Sequence, residues 1–289
     1  MVVDADWTLP MQLWKAHMQL NFPERAFDDP VYQAPSFRGS CVRDGRHAYK
    51  SVAIAADIGA AMVEKFKWKV DLTKFDLEVV CILFYQYMVV GISLANPHKI
   101  QFRNRMAPED RSLMADTKYV STLRPSTTYL LLKLAQYESG DFLLDSMCGV
   151  GTIPIWSAEF AKNQVFALGG ELDTLPVEKA GQNAASGSRY AEICQWDSTT
   201  LPLRSEIIDR VVIDLPFGVS CGNPRQLSKI YPRIIKELYR VMRPGARAVL
   251  LTSLKKTILH SIPLVPWRLV ASHEVNIGGL LSCVYVIEK

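Results

Sequence analysis

The stretch DSMCGVGTIPIWSA, residues 145–158, decides the fold class that we predict for this chain. An acid closes the apolar run FLLD, two glycines follow with one residue between them, and an apolar pattern with helical spacing resumes. A strand, a glycine turn and a helix in this order are typical of the ligand-binding edge of an open α/β sheet. Glycines let a ligand approach the backbone, and a helix N-terminus offers free N–H groups to an anion. Because ordinary strand-to-helix turns also use glycine, this interpretation needs support from the rest of the chain.

Acidic residues at the ends of three later strand candidates supply that support. Glu171 ends the next candidate, at the distance from the glycines where an acid binds a ribose diol. Asp197 follows a third candidate, AEICQW, and could accept a hydrogen bond from an adenine amino group. Asp214 closes the strongly apolar run RVVI. Each acid alone also fits a solvated strand end or a buried turn, but the set predicts a nucleoside-containing ligand.

The corner DLPF, residues 214–217, suggests chemistry on a planar amine. An exocyclic base amine is a poor nucleophile because its lone pair is delocalised into the ring. Asp214 and the carbonyl of Leu215 could accept its two hydrogens, which would localise the lone pair, and Asp214 could take the released proton. Pro216 would stiffen the corner, and Phe217 would stack on a base, worth about 1–3 kcal/mol. A plain buried turn is the alternative.

After residue 122 strands and helices alternate, which predicts an α/β domain with a mostly parallel sheet over residues 123–289. The residues from 273 to 289 alternate around Gly278 and Gly279, which predicts a closing antiparallel hairpin. Strands are expected at 142–145, 164–171, 191–196, 210–216 and 246–253, and helices at 125–137, 151–161, 176–185 and 227–242.

The first part of the chain is organised differently. Residues 1–35 break often at prolines and are expected to form an N-terminal segment with a short helix around 11–20. Residues 36–100 predict a small α+β domain with a strand that turns at Asp44-Gly45, a helix and a hairpin that turns near Tyr85-Gln86. Residues 101–122 carry mixed charges and few apolar side chains, as a linker does. The expected buried face of the helix consists of Ile54, Ile58, Met62, Val63 and Phe66.

Composition limits the classes of function. Hydrophobic residues make up 49% of the 289 residues and charged residues 21%, so a sizeable core is expected. The net charge of +4 leaves any nucleic-acid surface to local clusters. The six cysteines form no C-x-x-C pair, which favours reduced thiols without a disulfide framework or a metal site. No apolar run is long enough to span a membrane and no signal core opens the chain, so we expect no membrane segment.

The four strand ends, in this order, resemble those of class I S-adenosylmethionine-dependent methyltransferases, which have a Rossmann-like fold with an antiparallel last strand. The absence of a third glycine and the D-x-P-F corner argue against a nicotinamide dehydrogenase. That corner is similar to the D/N-P-P-F/Y motif of enzymes that methylate planar amino groups. Residues 36–94 resemble a THUMP domain, a tRNA-binding module. The stretches that resemble the catalytic half of THUMP-domain-containing tRNA guanosine-N2 methyltransferases are LRPSTTYLLLKLA, DSMCGVGTIPI, QWDSTTLPLR, DLPFG, LYRVMRPGARAVLLT and VNIGGLLSCVYVI.

The resemblance implies S-adenosyl-L-methionine as cofactor and N2-methylguanosine in tRNA as product. It assigns the methionine part of the cofactor to the glycine loop, the ribose to Glu171, the adenine side to Asp197 and the target amine to residues 214–217. An element before the first strand of the sheet is implied to lie over the cofactor. The implied cofactor residues are Arg124, Ser126, Thr127, Asp145, Cys148, Gly149, Gly151, Glu171 and Asp197.

Three departures from the family pattern bear on RNA binding and on the loop. Ser146 stands where many relatives have proline. Residues 219–222, VSCG, stand where relatives tend to carry basic side chains. Only residues 1–35 precede the THUMP-like part, whereas relatives carry a ferredoxin-like domain there, so an incomplete RNA-positioning arm is expected.

The expected RNA surface lies in the THUMP-like part, where basic side chains surround Phe66 and Trp68. The alternative for these two aromatic residues is a place in the core. The expected partners are tRNA and, by resemblance, a small zinc-ribbon activator subunit, in a cytoplasmic or also nuclear location. The predicted RNA-binding residues are Arg43, Arg46, Lys50, Lys65, Lys67 and Lys69.

Two other functions stay open on the sequence. One keeps the cofactor and changes the amine acceptor to another RNA, DNA adenine or protein glutamine. The other is a non-catalytic RNA-binding protein with a relic methyltransferase fold. The THUMP resemblance favours RNA, and the presence of all four strand-end acids argues against a relic.

Overall fold

The structure, a computed structural model, describes residues 2–23, 29–45, 47–94, 123–185, 190–217, 224–277 and 280–289. The chain divides into two compact units, Met1–Ala107 and Pro108–Lys289. The point of division and the predicted linker at 101–122 both lie outside the described residues. The domain limits at 35, 100 and 122 therefore stay predictions.

The first unit contains a three-stranded sheet in the order β1-β2-β3, with β1 parallel to β2 and β2 antiparallel to β3. The predicted order of strand, helix and hairpin is confirmed. A 3-10 turn at Pro30–Tyr32 follows the first helix, where the sequence predicts only a loop. The elements are α1 (Thr8–Asn21), β1 (Phe37–Asp44), α2 (Ser51–Phe66), β2 (Leu77–Phe84) and β3 (Tyr87–Ile92).

One face of this small sheet is covered by helix α2. The helix approaches β1 so closely that a Cβ atom on Gly39 would lie 2.6 Å from the carbonyl oxygen of Ala55. Ile58 and Met62 are buried there, but Val63 is exposed, so the prediction that Val63 belongs to the buried face is wrong. Val63 lies about 100° around the helix from Met62, beyond the side that packs on the sheet. Trp68 is buried and stacks on Phe66 at a centroid distance of 4.3 Å, so its ring belongs to the core.

The second unit contains a seven-stranded sheet in the order β6-β5-β4-β7-β8-β10-β9. The strands are β4 (Phe142–Asp145), β5 (Phe166–Glu171), β6 (Ala191–Gln195), β7 (Ile208–Asp214), β8 (Met242–Thr252), β9 (Arg268–Ile277) and β10 (Leu280–Glu288). The helices are α3 (Pro125–Ala135), α4 (Thr152–Phe160), α5 (Thr174–Ala185), α6 (Pro224–Val241) and α7 (Lys255–Ser261), and a 3-10 turn follows at Ile262–Leu264.

Strands β4 to β8 pair in parallel, and β10 runs antiparallel between β8 and β9. The buried runs in β4 and β7 explain the parallel centre, since strands covered on both faces need apolar side chains on both. The chain leaves β4 towards β5 and β6 and later returns to β7 on its other side. The strand order therefore reverses between β4 and β7, and open α/β sheets bind ligands at the carboxyl ends of the strands at such a switch point.

Several details differ from the sequence-based expectation, among them the start of β8 at Met242, four residues before the expected strand. Strand β7 ends at Asp214, so Leu215 and Pro216 lie in the loop rather than in the strand. The short helix α7 and the start of β9 at Arg268 were not anticipated. The closing hairpin is confirmed, while its turn at residues 278–279 lies outside the described residues.

In the described part of the chain, no helix is both long and apolar enough to cross a membrane. The cysteines described there, Cys41, Cys81, Cys148, Cys194 and Cys283, all carry free thiols. Cys221 lies outside the described residues.

Candidate active site

Three acidic side chains meet at the carboxyl ends of the central strands. Asp145 ends β4, Glu171 ends β5 and Asp214 ends β7. Burial raises the pKa of Asp145 well above its ordinary value, and the charges of Asp214 and Glu171 raise it further. Three carboxyl groups that influence one another in this way make a site that favours a positively charged ligand.

The glycine loop after β4 is held by hydrogen bonds to its neighbours. The Oδ1 atom of Asp145 accepts from the Met147 N–H at 3.0 Å. The Cys148 N–H donates to the carbonyl of Gly170 at 2.8 Å, and the Gly149 N–H donates to Oε2 of Glu171 at 3.0 Å. The loop is therefore fixed against the end of β5.

The two predicted glycines have different structural roles. Gly149 has φ +54°, and a Cβ atom there would point into open space, so this residue leaves room for a ligand. Gly151 has φ +86° and precedes the first residue of α4. A Cβ atom on Gly151 would lie 3.0 Å from Ile155 and 3.2 Å from Ala180, so this residue allows α4 and α5 to pack closely.

A second pair of glycines, which the sequence analysis did not single out, allows an indole ring to cover β5. A Cβ atom on Gly170 would lie 1.8 Å from the ring of Trp196, and one on Gly169 would lie 3.0 Å from Sγ of Cys148. The Trp196 Nε1–H donates to the carbonyl of Ser146 at 3.2 Å. Burial raises the pKa of the Cys148 thiol, so Cys148 contributes packing rather than a thiolate. Consecutive glycines inside a strand are the sequence signal for such close approach.

Glu171 and Asp197 differ in the backbone N–H groups from which their carboxylates accept hydrogen bonds. Glu171 also accepts from the Leu172 N–H at 2.7 Å. Asp197 is exposed, and its Oδ1 accepts from the Thr199 N–H at 2.8 Å within a turn. Hydrogen bonds from Thr199 lower the pKa of Asp197, and the charge of Arg233 lowers it further. Both side chains are placed at the predicted edge of the sheet.

The corner at Asp214 contains a buried acceptor that has no donor among the described residues. The Oδ1 atom of Asp214 is buried and has no hydrogen-bond partner among the residues that the structure describes. Burial raises the pKa of Asp214 to about 7. The backbone of the next residue is fixed by β8, since the Leu215 N–H donates to the carbonyl of Leu251 at 2.9 Å. Buried acceptors are normally paired, so this atom marks a place where a donor from a ligand can bind.

The corner is also held from α6 and β8 by a directed chain of hydrogen bonds. The Tyr231 hydroxyl donates to the carbonyl of Pro216 at 2.8 Å. Because this uses its only hydrogen, the Thr252 hydroxyl donates to Tyr231 across 2.9 Å and itself accepts from the Leu254 N–H at 3.0 Å. Burial raises the pKa of Tyr231 and the charge of Asp214 raises it further, so the hydroxyl remains a donor.

Phe217 follows this corner, and three other residues predicted to bind the cofactor lie at the start of α3. The ring of Phe217 is half-buried and packs on the apolar cluster that contains Leu123. Arg124 and Ser126 are exposed, and Thr127 is half-buried, at the start of α3. Their predicted role over a cofactor stays a prediction, as does base stacking by Phe217.

The basic residues predicted to bind RNA fall into two groups in the first unit. Arg43 donates to Oγ of Ser51 at 2.8 Å and also bonds the carbonyl of Tyr49, and Lys65 bonds two carbonyl groups of the N-terminal segment. Both side chains therefore hold the fold together. Arg46 lies outside the described residues. The basic side chains that stay exposed without such bonds to described residues are Lys50, Lys67 and Lys69.

Comparisons with known proteins find methyltransferases. The family UPF0020, described as "RMKL-like, methyltransferase domain", matches residues 114–283. The bovine tRNA (guanine(6)-N(2))-methyltransferase THUMP3 is 34% identical over 272 residues, which are 88% of this chain and 51% of that protein. The mouse U6 snRNA (guanine-N(2))-methyltransferase THUMPD2 is 31% identical over 236 residues, 80% of this chain and 41% of that protein. The chain thus spans about half the length of these curated relatives or less.

Solved structures confirm the predicted fold class. TrmN from Thermus thermophilus has a TM-score of 0.66 at 25% sequence identity, and the match covers 97% of this chain and 78% of that chain. A possible methylase from Clostridium difficile 630 has a TM-score of 0.62 at 16% identity, with 96% of this chain and 80% of that chain covered.

Proposed function

The chain belongs to the UPF0020 family of methyltransferases, and we propose that it transfers a methyl group from S-adenosylmethionine to the exocyclic N2 of a guanosine in tRNA. The observation that carries this proposal is the buried Oδ1 atom of Asp214 in the DLPF corner, which has no hydrogen-bond partner among the described residues and lies in the same site as a glycine loop that leaves room for a ligand. The relatives named above methylate guanine N2 in two kinds of RNA, which supports the same acceptor group here.

The residues at the strand ends fit this cofactor. S-adenosylmethionine, when bound, supplies an electrophilic methyl group on a positively charged sulfur. The carboxyl groups of Asp145, Glu171 and Asp214 favour such a charge, and the open space beside Gly149 gives it room. Each carboxylate oxygen has two acceptor positions, so Glu171 can bond the Gly149 N–H and accept from a ribose hydroxyl at the same time.

The remaining cofactor contacts are assigned by position. Asp197 lies at the adenine side, and Asp145, Cys148, Gly149 and Gly151 form the loop around the methionine part. The residues at the start of α3, Arg124, Ser126 and Thr127, complete the cofactor site in this proposal.

Asp214 is proposed as the residue that prepares the amine. Its carboxylate would accept one hydrogen of the guanine amino group, and the carbonyl of Leu215 would accept the other. With a pKa of about 7 in the free protein, Asp214 is poised to exchange a proton near neutral pH. A positive charge bound beside it favours the carboxylate form, which is the form that the reaction needs. Pro216 and Phe217 would hold and stack the target base.

RNA is the acceptor that we favour over DNA adenine and protein glutamine. Both curated relatives act on RNA by name, and three of the lysines predicted to bind RNA, Lys50, Lys67 and Lys69, are exposed in the first unit without side-chain bonds to described residues. U6 snRNA or another RNA is the second candidate, because the match to its methyltransferase covers most of the chain. A relic fold without activity is disfavoured, since Asp145, Glu171 and Asp214 all end neighbouring strands of the sheet.

We also propose a small zinc-ribbon activator subunit and a cytoplasmic, also nuclear, location. The activator rests on the family resemblance. It would require an apolar edge on the catalytic unit, and β6 is an edge strand of the seven-stranded sheet. Leu172, Leu175 and Tyr190, in the segments that flank β5 and β6, are all exposed.

The proposed activity is tested by transfer of tritium from labelled S-adenosylmethionine into total tRNA, small nuclear RNA, DNA and protein, followed by analysis of the labelled nucleoside or amino acid. We expect N2-methylguanosine from tRNA, with Asp214→Ala as the inactive control. Label in a different product changes the acceptor, and binding of RNA without any transfer, with and without the activator, contradicts the enzymatic function.

A further inference from the structure

Helix α6 carries a basic stripe that the proposed chemistry does not use. The helix contains five basic residues and one acidic residue. Lys229, Arg233 and Lys236 fall within about 60° of the helix surface, since each residue turns the chain by about 100°. All three side chains are exposed, whereas Tyr231 and Ile234 on the opposite face are buried in the core. We call these three residues the α6 stripe.

The side chains of the α6 stripe lack hydrogen-bond and ion-pair partners within the described structure, although the charge of Arg233 acts on Asp197. Glu237, the acid of this helix, pairs with Arg240 at 2.6 Å. Arg240 also donates to the carbonyl groups of Leu201 and Leu203, so this pair belongs to the packing of the helix. No hydrogen bond or ion pair to a described residue engages the three side chains of the α6 stripe. The stripe therefore presents three positive charges to the solvent.

The helix that carries the stripe is fixed to the acceptor corner. The Tyr231 hydroxyl, two residues from Lys229 and from Arg233 in the sequence, bonds the carbonyl of Pro216 at 2.8 Å. At the other side, Arg233 lies close enough to Asp197 for its charge to act on that carboxylate at the carboxyl edge of the sheet. The stripe consequently has a defined position relative to the corner where the target amine is proposed to bind.

We propose that the α6 stripe binds the phosphate backbone of the RNA that carries the target base. This inference rests on the proposed function and adds an RNA-docking surface on the catalytic unit itself. The three residues extend over about 10 Å of helix, at about 1.5 Å per residue. Successive phosphates on one strand of a duplex are about 3.4 Å apart along the axis, so the stripe can contact more than one of them. Phosphate contacts of this kind fix the register of a nucleic acid without reading its sequence.

The test compares two triple variants of equal charge. Lys229→Gln, Arg233→Gln and Lys236→Gln remove the α6 stripe. Lys133→Gln, Lys162→Gln and Arg204→Gln remove two lysines and one arginine that are also exposed and that lie in the segments preceding β4, β5 and β7. Binding of a tRNA transcript is measured by fluorescence anisotropy between 50 and 200 mM salt, and the midpoint of thermal unfolding serves as a check of folding.

Loss of the α6 stripe is expected to weaken tRNA binding and to reduce the slope of log K against log salt by about 2, since each phosphate contact contributes about 0.7 to 0.9. The control triple variant is expected to keep the parent slope within about 0.5. An unchanged slope in the stripe variant, or equal losses in both variants, contradicts the proposal, and so does a parent chain that binds no RNA. If the parent chain binds tRNA through the stripe but transfers no methyl group, the proposed function fails while this inference holds.

Discussion

The ends of strands β4 and β7 are the most instructive comparison within this protein. Both strands are central, buried and neighbours in the sheet, and both end in an aspartate whose pKa is raised by burial. The Oδ1 atom of Asp145 accepts from the Met147 N–H, so this side chain shapes its own loop. Asp214 has an Oδ1 atom without any partner among the described residues. The same place in the fold thus provides a supporting acid at one strand end and an available acceptor at the other.

The surroundings of the two aspartates extend this difference. The loop after Asp145 is bonded to β5 through Cys148 and Gly149, which leaves it stiff before any ligand arrives. The corner after Asp214 is bonded away from the site, through Tyr231 to Pro216. Its backbone is fixed, while Oδ1 of Asp214 has no hydrogen-bond partner among the described residues, as expected for an acceptor that a substrate donor can reach.

The largest expected effect separates the two acids in the chemical step. Asp214→Asn replaces an acceptor oxygen with a donor that opposes the amine hydrogens, so single-turnover methyl transfer should fall by roughly 10²–10³, or about 2.7–4 kcal/mol, as on loss of one oxyanion-hole donor. Asp145→Asn keeps an oxygen that can accept from Met147, so its effect should appear in cofactor affinity instead. Equal rate losses in the two variants would remove the distinction.

A smaller effect is expected at the end of β5. Glu171→Ala removes the acceptor proposed for the ribose hydroxyls and should weaken cofactor binding by about 1–3 kcal/mol in calorimetry. Glu178→Ala, on the exposed side of α5, is the matched control and should bind the cofactor as the parent does. Parent-like affinity of Glu171→Ala would take Glu171 out of the cofactor site.

The pKa of Asp214 predicts a dependence of stability on pH. Burial raises this pKa from 3.8 in the unfolded chain to about 7, so the folded state holds the proton more tightly. Stability contributed by the protonated form is fully present below about pH 4 and is lost as the pH rises through 7. From pH 6 to pH 8 the parent should lose about 1.4 kcal/mol relative to Asp214→Asn, measured by urea unfolding. A difference that stays constant over this range would show that Asp214 is not buried as described.

The smallest effect concerns the support of the corner. Tyr231→Phe removes the hydrogen bond to Pro216 and should lower the free energy of unfolding by about 0.5–1.5 kcal/mol. Methyl transfer should slow on the order of tenfold, equivalent to about 1.4 kcal/mol, because the corner loses its alignment. Tyr190→Phe, at an exposed tyrosine of the same unit, is the control. A slower rate in both variants, or in neither, would show that Tyr231 does not position the corner.

The sequence predicts this site because each of its acids closes an apolar run. The carboxyl ends of neighbouring parallel strands meet at one edge, so Asp145, Glu171 and Asp214 had to come together once the strands were recognised. The glycines at 149 and 151 were recognised for the same reason. The later hairpin followed from alternation around two glycines, a local pattern that does not depend on distant partners.

The missed features depend on contacts between residues far apart in the chain. Nothing local connects Tyr231 with Pro216, or Trp196 with Gly170. The availability of a charged side chain also depends on distant contacts. Arg43 belongs to a basic cluster in the sequence, but in the fold its guanidinium donates a hydrogen bond to Ser51. A pattern of charges indicates where cations occur, whereas only tertiary packing shows which of them remain available.

The central claim is that the Asp214 carboxylate accepts a hydrogen bond from the target amine, and a double-mutant cycle with the RNA tests it most directly. The RNA is made with guanosine or with inosine, which lacks the N2 amino group, at the position that the parent methylates. RNA affinity is measured with the product cofactor bound, for the parent and for Asp214→Ala. We predict that inosine weakens binding to the parent by about 1.5–3 kcal/mol, as on loss of a hydrogen bond to a charged group, and that Asp214→Ala binds both RNAs alike. An equal penalty for inosine in parent and variant would contradict the account.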